Sequence, residues 1–255
     1  MDFNKKMKKK IIALLPARFS STRIKKKLIK KLRGIPIILH TISRVKMIKN
    51  VDEIVVCTDS IEIKKIVEHQ GVKVNMTSKH HKNGTDRIAE VARKLKADLF
   101  IDIHSDEAIL DPKNVEKLIN FHLINYHFDI VVPNKISNKS GGENVVKVIP
   151  NPSDNSIIYF TRSDAPYAFR KNKKTFFHHL DTISFKPNAL KMFSKLDQGI
   201  LEKMEGIELL RAIEHRFKLG TFSIKTSSFS INTIKDFKKA KNYLKKDQYF
   251  KKYND

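Results

Sequence analysis

The sequence predicts an α/β protein, a mixed but mostly parallel sheet with helices on both faces in three layers. Two observations predict it. Compact apolar runs of strand length recur along the chain, several of them rich in β-branched residues. Helix-like segments with a single apolar face separate them. Strand–helix alternation of this kind builds a parallel sheet covered on both sides.

In order, Ile11 to Leu15 is an apolar run that reads as a buried strand. Ile54 to Cys57 is a second, ending at Thr58-Asp59-Ser60. Ile61 to His69 reads as a helix closed by Gly71, and Val72 to Met76 as the next strand. Ile88, Val91, Ala92 and Leu95 share one helix face. Asp98 to Ile103 returns as a strand. Asp111-Pro112 is an N-cap and N1 pair for a helix to about Tyr126. Asp129 to Val132 is another strand, and polar Asn134 to Glu143 reads as a loop. Val145 to Ile149 and Ile157 to Thr161 read as paired strands around the turn Asn151 to Asp154. Thr182 to Phe185 is a short strand. Pro187 to Leu196 and Glu202 to Lys218 read as helices. A last helix starts at Thr233, with Asp236 at N3.

The chain has 255 residues, 40% of them hydrophobic, enough for one sizeable core. It shows no internal repeat and no separating linker, so residues 1–255 read as a single domain. Its longest apolar stretches fall well short of the roughly 20 residues of a membrane helix. The apolar run after the charged N-terminus is too brief for a signal peptide. The single cysteine, Cys57, excludes an internal disulfide and suits a reducing cytoplasm. The formal charge is +24. It comes mostly from lysines spread along helix faces and tails, without the arginine forks and stacked aromatics of many nucleic-acid readers. A solvated surface is the expected reading. A polyanion or membrane-surface role is the alternative.

In open α/β sheets, ligands bind beyond the carboxyl ends of the strands. There the sequence places Arg18 and Arg23, with Lys27 following; Thr58-Asp59; the run His81 to Arg87 before a helix; and His104-Ser105-Asp106-Glu107. Cations beside carboxylates are what a metal–nucleoside triphosphate needs, since cations screen phosphate oxygens and carboxylates hold Mg²⁺. Neither a P-loop nor a GxGxxG motif is present. Asn83-Gly84-Thr85 at a helix start can still offer backbone N–H groups.

These residues carry a resemblance over nearly the whole chain. Pro16-Ala17-Arg18-Phe19-Ser20-Ser21-Thr22-Arg23 resembles the PAR-x-x-STR signature of the 3-deoxy-manno-octulosonate cytidylyltransferases, in the nucleotidyl-sugar transferase superfamily with its Rossmann-like fold. Gly34-Ile35-Pro36 is similar to the G-K-P that follows. Thr58-Asp59 resembles A-T-D, and His81 to Arg87 resembles H-x-S-G-T-[DE]-R with Asn83 for serine. Asn144 to Val148, Tyr159 to Arg162, Phe177 to His179 and Leu201 to Arg211 resemble later motifs.

The resemblance implies that CTP and an acidic sugar give CMP-sugar and pyrophosphate, with Mg²⁺. The acceptor would be 3-deoxy-manno-octulosonate (Kdo) or a related ulosonic acid. It implies Arg18, Lys27 and Asp106 as catalytic residues. Ala17, Arg18, Arg23, Lys27, Asn83, Gly84, Thr85 and Arg87 would hold the nucleotide. His104, Arg162, His179 and Glu208 would line the sugar pocket, and Asp106 and Asn232 would hold the metal. It also implies a homodimer, with the contact and part of the sugar pocket in a sub-region of about residues 134–186. A nucleotide- or polyanion-binding homologue without turnover is the alternative from another class.

Departures from the family pattern cluster on the sugar side. His104-Ser105-Asp106-Glu107-Ala108 stands for Q-G-D-E-P, and Leu180 to Ile183 for a stretch with a small residue and a tyrosine. Leu209 stands for glutamine, and Asn232 for the second metal-binding aspartate. Asp102 could supply the charge missing at Asn232 if the strand carrying it extends to Asp106. After Arg23, R-x-P-G-K-P-L becomes Arg23-Ile24-Lys25-Lys26-Lys27-Leu28, without glycine or proline. That leaves open whether Lys25, Lys26 or Lys27 reaches the phosphates.

Overall fold

The computed structural model describes residues 8–18, 24, 26–81, 83–169 and 174–254. Its strands are β1 Ile11–Ala17, β2 Lys31–Leu32, β3 Ile35–Pro36, β4 Glu53–Thr58, β5 Lys73–Met76, β6 Leu99–Asp102, β7 Ile130–Ser137, β8 Lys147–Pro150, β9 Ile157–Thr161, β10 Phe176–His179, β11 Ile183–Phe185 and β12 Leu219–Ser223. Its helices are α1 Ile37–Val45, α2 Ile61–Glu68, α3 Gly84–Ala92, α4 Pro112–Ile124, α5 Pro187–Phe193, α6 Ile200–Glu205, α7 Leu210–Glu214 and α8 Ile234–Tyr243.

The main sheet has the order β5-β4-β1-β6-β11-β7-β10-β8-β9, with β12 on β7. The first four strands are parallel. β11, β10 and β9 run against the rest, so the sheet is mixed with most strands in one direction. Side-chain alternation along β1 sorts the core into two faces. Ile11, Ala13, Leu15 and Ala17 pack with α1, α2, α4 and α8. Ile12 and Leu14 pack with α3, α5 and α7.

Caps fall where the sequence puts them. Ser60 accepts from Ile63 N, Asp111 from Lys113 N, and Thr233 with Asp236 forms a capping box. Three expectations need correction, and one strand, β12, was not expected. β7 runs through Pro133 to Ser137, in place of the expected loop. The helix expected over 202–218 is two helices, because Gly206 ends α6 in the left-handed conformation at φ +63°. β12 follows them, its Gly220 lying so close to the Phe128 ring that a Cβ would overlap it. β6 ends at Asp102, so the strand face does not continue to Asp106.

One irregularity positions the site. β10 pairs with the far half of β7, His179 opposite Asn134, and β11 with the near half, Ser184 opposite Val131. Three steps along β7 therefore face five steps along its partner. The two extra residues bulge out at Leu180–Thr182, where Pro133 has no N–H to offer the ladder. Asp181 stands on this bulge.

Candidate functional site

Parallel strands end on one rim. Ala17 lies beside Thr58, and Thr58 beside Met76. The residues that follow, Arg18, Asp59 and Thr77, therefore emerge together. Arg87, from the second turn of α3, is 1% exposed and donates to both Thr77 Oγ1 and Asp59 Oδ2 (2.9 Å to the latter). Its charge braces the rim. Asn83 caps α3 by accepting from Asp86 N at 2.7 Å. Gly84 packs on Pro16, where a Cβ would sit 3.3 Å from the ring. This contact brings the start of α3 against the end of β1.

Arg18 has a buried Nη2 with no hydrogen-bond partner among the described residues. Burial, then the like charge of Arg87, lowers its pKa from an arginine's ordinary value; Glu208 and Asp59 oppose this. A buried guanidinium nitrogen without a partner is poised for an anion. Arg23 and Lys25 lie outside the described residues.

Lys27 is reached through an unusual turn. Lys26 takes φ +51° and ψ +38°, the left-handed conformation, at the position where the resemblance has glycine. The backbone thus makes a glycine-type turn without the glycine. Lys27 then opens a 3₁₀ turn, and its ammonium bonds to Asp106 Oδ2 and donates to Ile231 O at 3.0 Å. Asn232 follows directly. Lys27, Asp106 and the Ile231–Asn232 segment therefore meet at one point.

The cluster around Asp181 is arranged differently. Thr85 donates to Glu208 Oε2 at 2.8 Å, and burial raises the Glu208 pKa. Burial lowers His104, but the charges of Asp102, Asp181, Asp106 and Glu107 outweigh it and raise the imidazole above its ordinary value. The Ser230 hydroxyl lies between Glu107 Oε1 and Asp181 Oδ2, 2.8 Å from the latter. One hydroxyl has one proton to give. Burial and the neighbouring carboxylates push Glu107 up to about 8. Burial acts against Asp181 as well, but His179 and His104 hold it well below the usual range. The Ser230 hydroxyl thus joins a carboxyl that is pushed up to one that is held down. His179 Nδ1 lies 3.6 Å from Asp181 Oδ1. A cavity of about 370 Å³ opens beside this group, walled by Leu110, Val115 and Leu118 of the α4 side.

Comparison with known proteins converges on one family. The cytidylyltransferase family pattern matches residues 12–219. The chain is 35% identical over 234 residues to the 3-deoxy-manno-octulosonate cytidylyltransferase of a Nitratiruptor species, covering 89% of this chain and 96% of that one. It is 32% identical to the protein of the same name from Chlorobium limicola, over 92% and 97% of the two chains. The chain belongs to the cytidylyltransferase family. A solved structure of CMP:2-keto-3-deoxy-manno-octonic acid synthetase complexed with CTP superposes with a TM-score of 0.89 at 26% identity, covering 92% and 98% of the two chains. The fold and the resemblance to this enzyme group are thereby established.

Within this cytidylyltransferase, the residues expected at the site fall into three groups. Arg18, Lys27, Asp106 and the Asn232 segment gather on the rim with Asn83, Gly84 and Thr85. His104 and His179 gather around Asp181, with Glu208 on the nucleotide side of them. Arg162 is apart. Its guanidinium donates to the backbone carbonyls of Glu143, Glu205 and Gly206. Asp102 stands near His104, Glu208 and Asp181, whose charges act on it. It is 1% exposed, its Oδ1 has no partner among the described residues, and burial raises it to about 7. It is therefore no simple replacement for the charge missing at Asn232. Glu107 was expected only as one of the carboxylates beside the cations, and no role was expected for Asp181 or Ser230. The departure at Leu180 to Ile183 was the signal for Asp181; Ser230 had none.

The oxygen donors present fit Mg²⁺. Among the described residues, no group of three or more His, Cys, Asp or Glu could hold a metal alone. Mg²⁺ is commonly bound by one or two protein oxygens together with substrate phosphates, and Asp106 with the Asn232 amide matches that habit.

Proposed function

We propose that the protein transfers CMP from CTP to the anomeric hydroxyl of a 2-keto acid sugar, 3-deoxy-manno-octulosonate or a close ulosonic relative, releasing pyrophosphate. The observation that carries this is the meeting of Lys27, Asp106 and the Ile231–Asn232 segment on the rim that also holds the unpartnered Arg18 nitrogen. Arg18 and Lys27 take triphosphate oxygens, and the α3 start, Asn83 to Thr85, faces the cytidine side. Asp106 and Asn232 hold Mg²⁺, whose chemistry when bound is neutralisation of charge on the reacting phosphate. The acceptor hydroxyl oxygen forms a bond to the α-phosphorus, its proton passing to solvent, as the bond to the β-phosphate oxygen breaks, and pyrophosphate leaves with that electron pair. The raised His104, with His179 beside it, supplies the cationic neighbour that the sugar's carboxylate needs among many acids. Catalysis then comes mainly from positioning and charge neutralisation.

The proposal includes a cytoplasmic homodimer. Ile136, Ile158, Tyr167 and Phe169 are large apolar side chains exposed within the 134–186 region, and a second copy would cover them. Asn232 also favours a second reading, a homologue that binds nucleotide without turnover. Pyrophosphate release, measured with CTP, Mg²⁺ and a panel of 2-keto sugar acids, separates the two. Release that requires both CTP and one such acid supports transfer. Tight CTP binding without release for any acid overturns it.

A further inference from the structure

We infer that Lys27 is the resident counter-cation of the metal site, and that it makes firm binding of a divalent cation depend on the nucleotide. The inference rests on the Mg²⁺–CTP reading above. Lys27 ties Asp106 to the segment that carries Asn232. Its ammonium bonds the Asp106 carboxylate, and it donates to the carbonyl of Ile231, the residue before Asn232. The two side chains of the ion pair are only 13% and 15% exposed, so solvent screens them less than a surface pair.

Charge counting gives the consequence. One ammonium balances the one carboxylate, and Asn232 adds no charge. Without nucleotide the Lys27–Asp106 pair is therefore neutral, and a divalent cation entering it meets a like charge held on its anionic ligand. An aspartate at 232 would leave one negative charge over. A triphosphate changes both sides of this balance. Its oxygens draw Lys27 off Asp106 and supply ligands that the protein lacks. Metal and nucleotide then promote each other's binding, and by linkage the effect is reciprocal. The left-handed Lys26 turn and the 3₁₀ turn after it deliver Lys27 to Asp106 on the rim proposed to take the triphosphate.

The test uses Mn²⁺ as the probe, with free Mn²⁺ read by electron paramagnetic resonance on the full chain. Without nucleotide, Lys27→Met is expected to bind Mn²⁺ about tenfold more tightly than the wild type. Asn232→Asp is expected to shift the same way. CTP affinity, measured without metal, should fall in Lys27→Met. Lys27→Gln gives the same comparison should the methionine variant fail to fold, with thermal melting as the check. Unchanged or weaker Mn²⁺ binding in the Lys27 variants, while Asn232→Asp tightens it, overturns the inference and leaves the metal site standing. No Mn²⁺ binding in any variant, even with CTP, overturns the metal reading and the inference together.

Discussion

The two halves of the site hold their charges in opposite ways. On the nucleotide rim, backbone geometry places the groups and some are left without partners. Strand ends deliver Arg18, and a left-handed turn delivers Lys27. On the acceptor side, the polar groups already answer one another. Ser230 joins Glu107 to Asp181, and Thr85 holds Glu208. A rim with open donors takes any triphosphate-shaped anion. A pocket of mutually satisfied groups admits only a ligand whose hydrogen bonds replace those it breaks. Nucleotide binding and acceptor choice should therefore respond to different substitutions.

The largest effect is expected on the rim. Asp106→Asn should lower kcat on the order of 10³-fold, because its charge acts where the transition state needs it. Pre-steady-state pyrophosphate release measures this. A change in acceptor KM alone would break the comparison.

Next comes the scaffold beneath the acceptor side. Arg211 grips Glu202 with two bonds, 2.7 and 2.6 Å, in a pair 4% and 3% exposed. This pair pins α6 to α7 and so fixes the segment carrying Glu208. Glu202→Ala should cost about 3–5 kcal/mol of stability, by leaving a buried guanidinium alone. Urea denaturation gives the value.

Asp102 marks the border between the halves and predicts a pH signature. Its folded pKa, about 7, lies above the ordinary aspartate value of 3.8. The folded state therefore binds the extra proton between those pH values, and stability falls as pH rises through that window. Asp102→Asn should flatten this slope and be the more stable form at pH 8, as thermal melts across pH 4 to 8 would show.

The readings from sequence divide along the same line. The parallel half was legible, because β1, β4, β5 and β6 are strand-length apolar runs with capped helices between them. In the mixed half, β7, β8, β9 and β11 were legible too, but β10 and β12 were not. β10 is Phe-Phe-His-His and β12 is Leu-Gly-Thr-Phe-Ser, runs whose pairing depends on β7 rather than on their own pattern. The bulge carrying Asp181 arises from Pro133, a residue that reads locally as a strand end. The rim residues were legible because short motifs carry them. The Glu107–Ser230–Asp181 chain was not, because it joins residues as far apart as 123 positions.

A smaller effect is expected for Ser230→Ala. It removes the link between Glu107 and Asp181, and should raise the acceptor KM several-fold with the CTP KM nearly unchanged. An equal rise in both would show that the two halves are not separable. The smallest is Lys26→Gly. Relieving a left-handed lysine should add about 1 kcal/mol of stability, less the entropy that glycine loses on folding. A decrease in melting temperature would show that the lysine side chain supports the turn.

The most direct test of the division is a crystal structure with CTP and Mg²⁺. Arg18 and Lys27 are expected on triphosphate oxygens, with Asp106 and Asn232 on the metal and the Glu107–Ser230–Asp181 chain unbroken until an acid sugar enters. A triphosphate bound away from Arg18, with Lys27 still on Asp106, would contradict it.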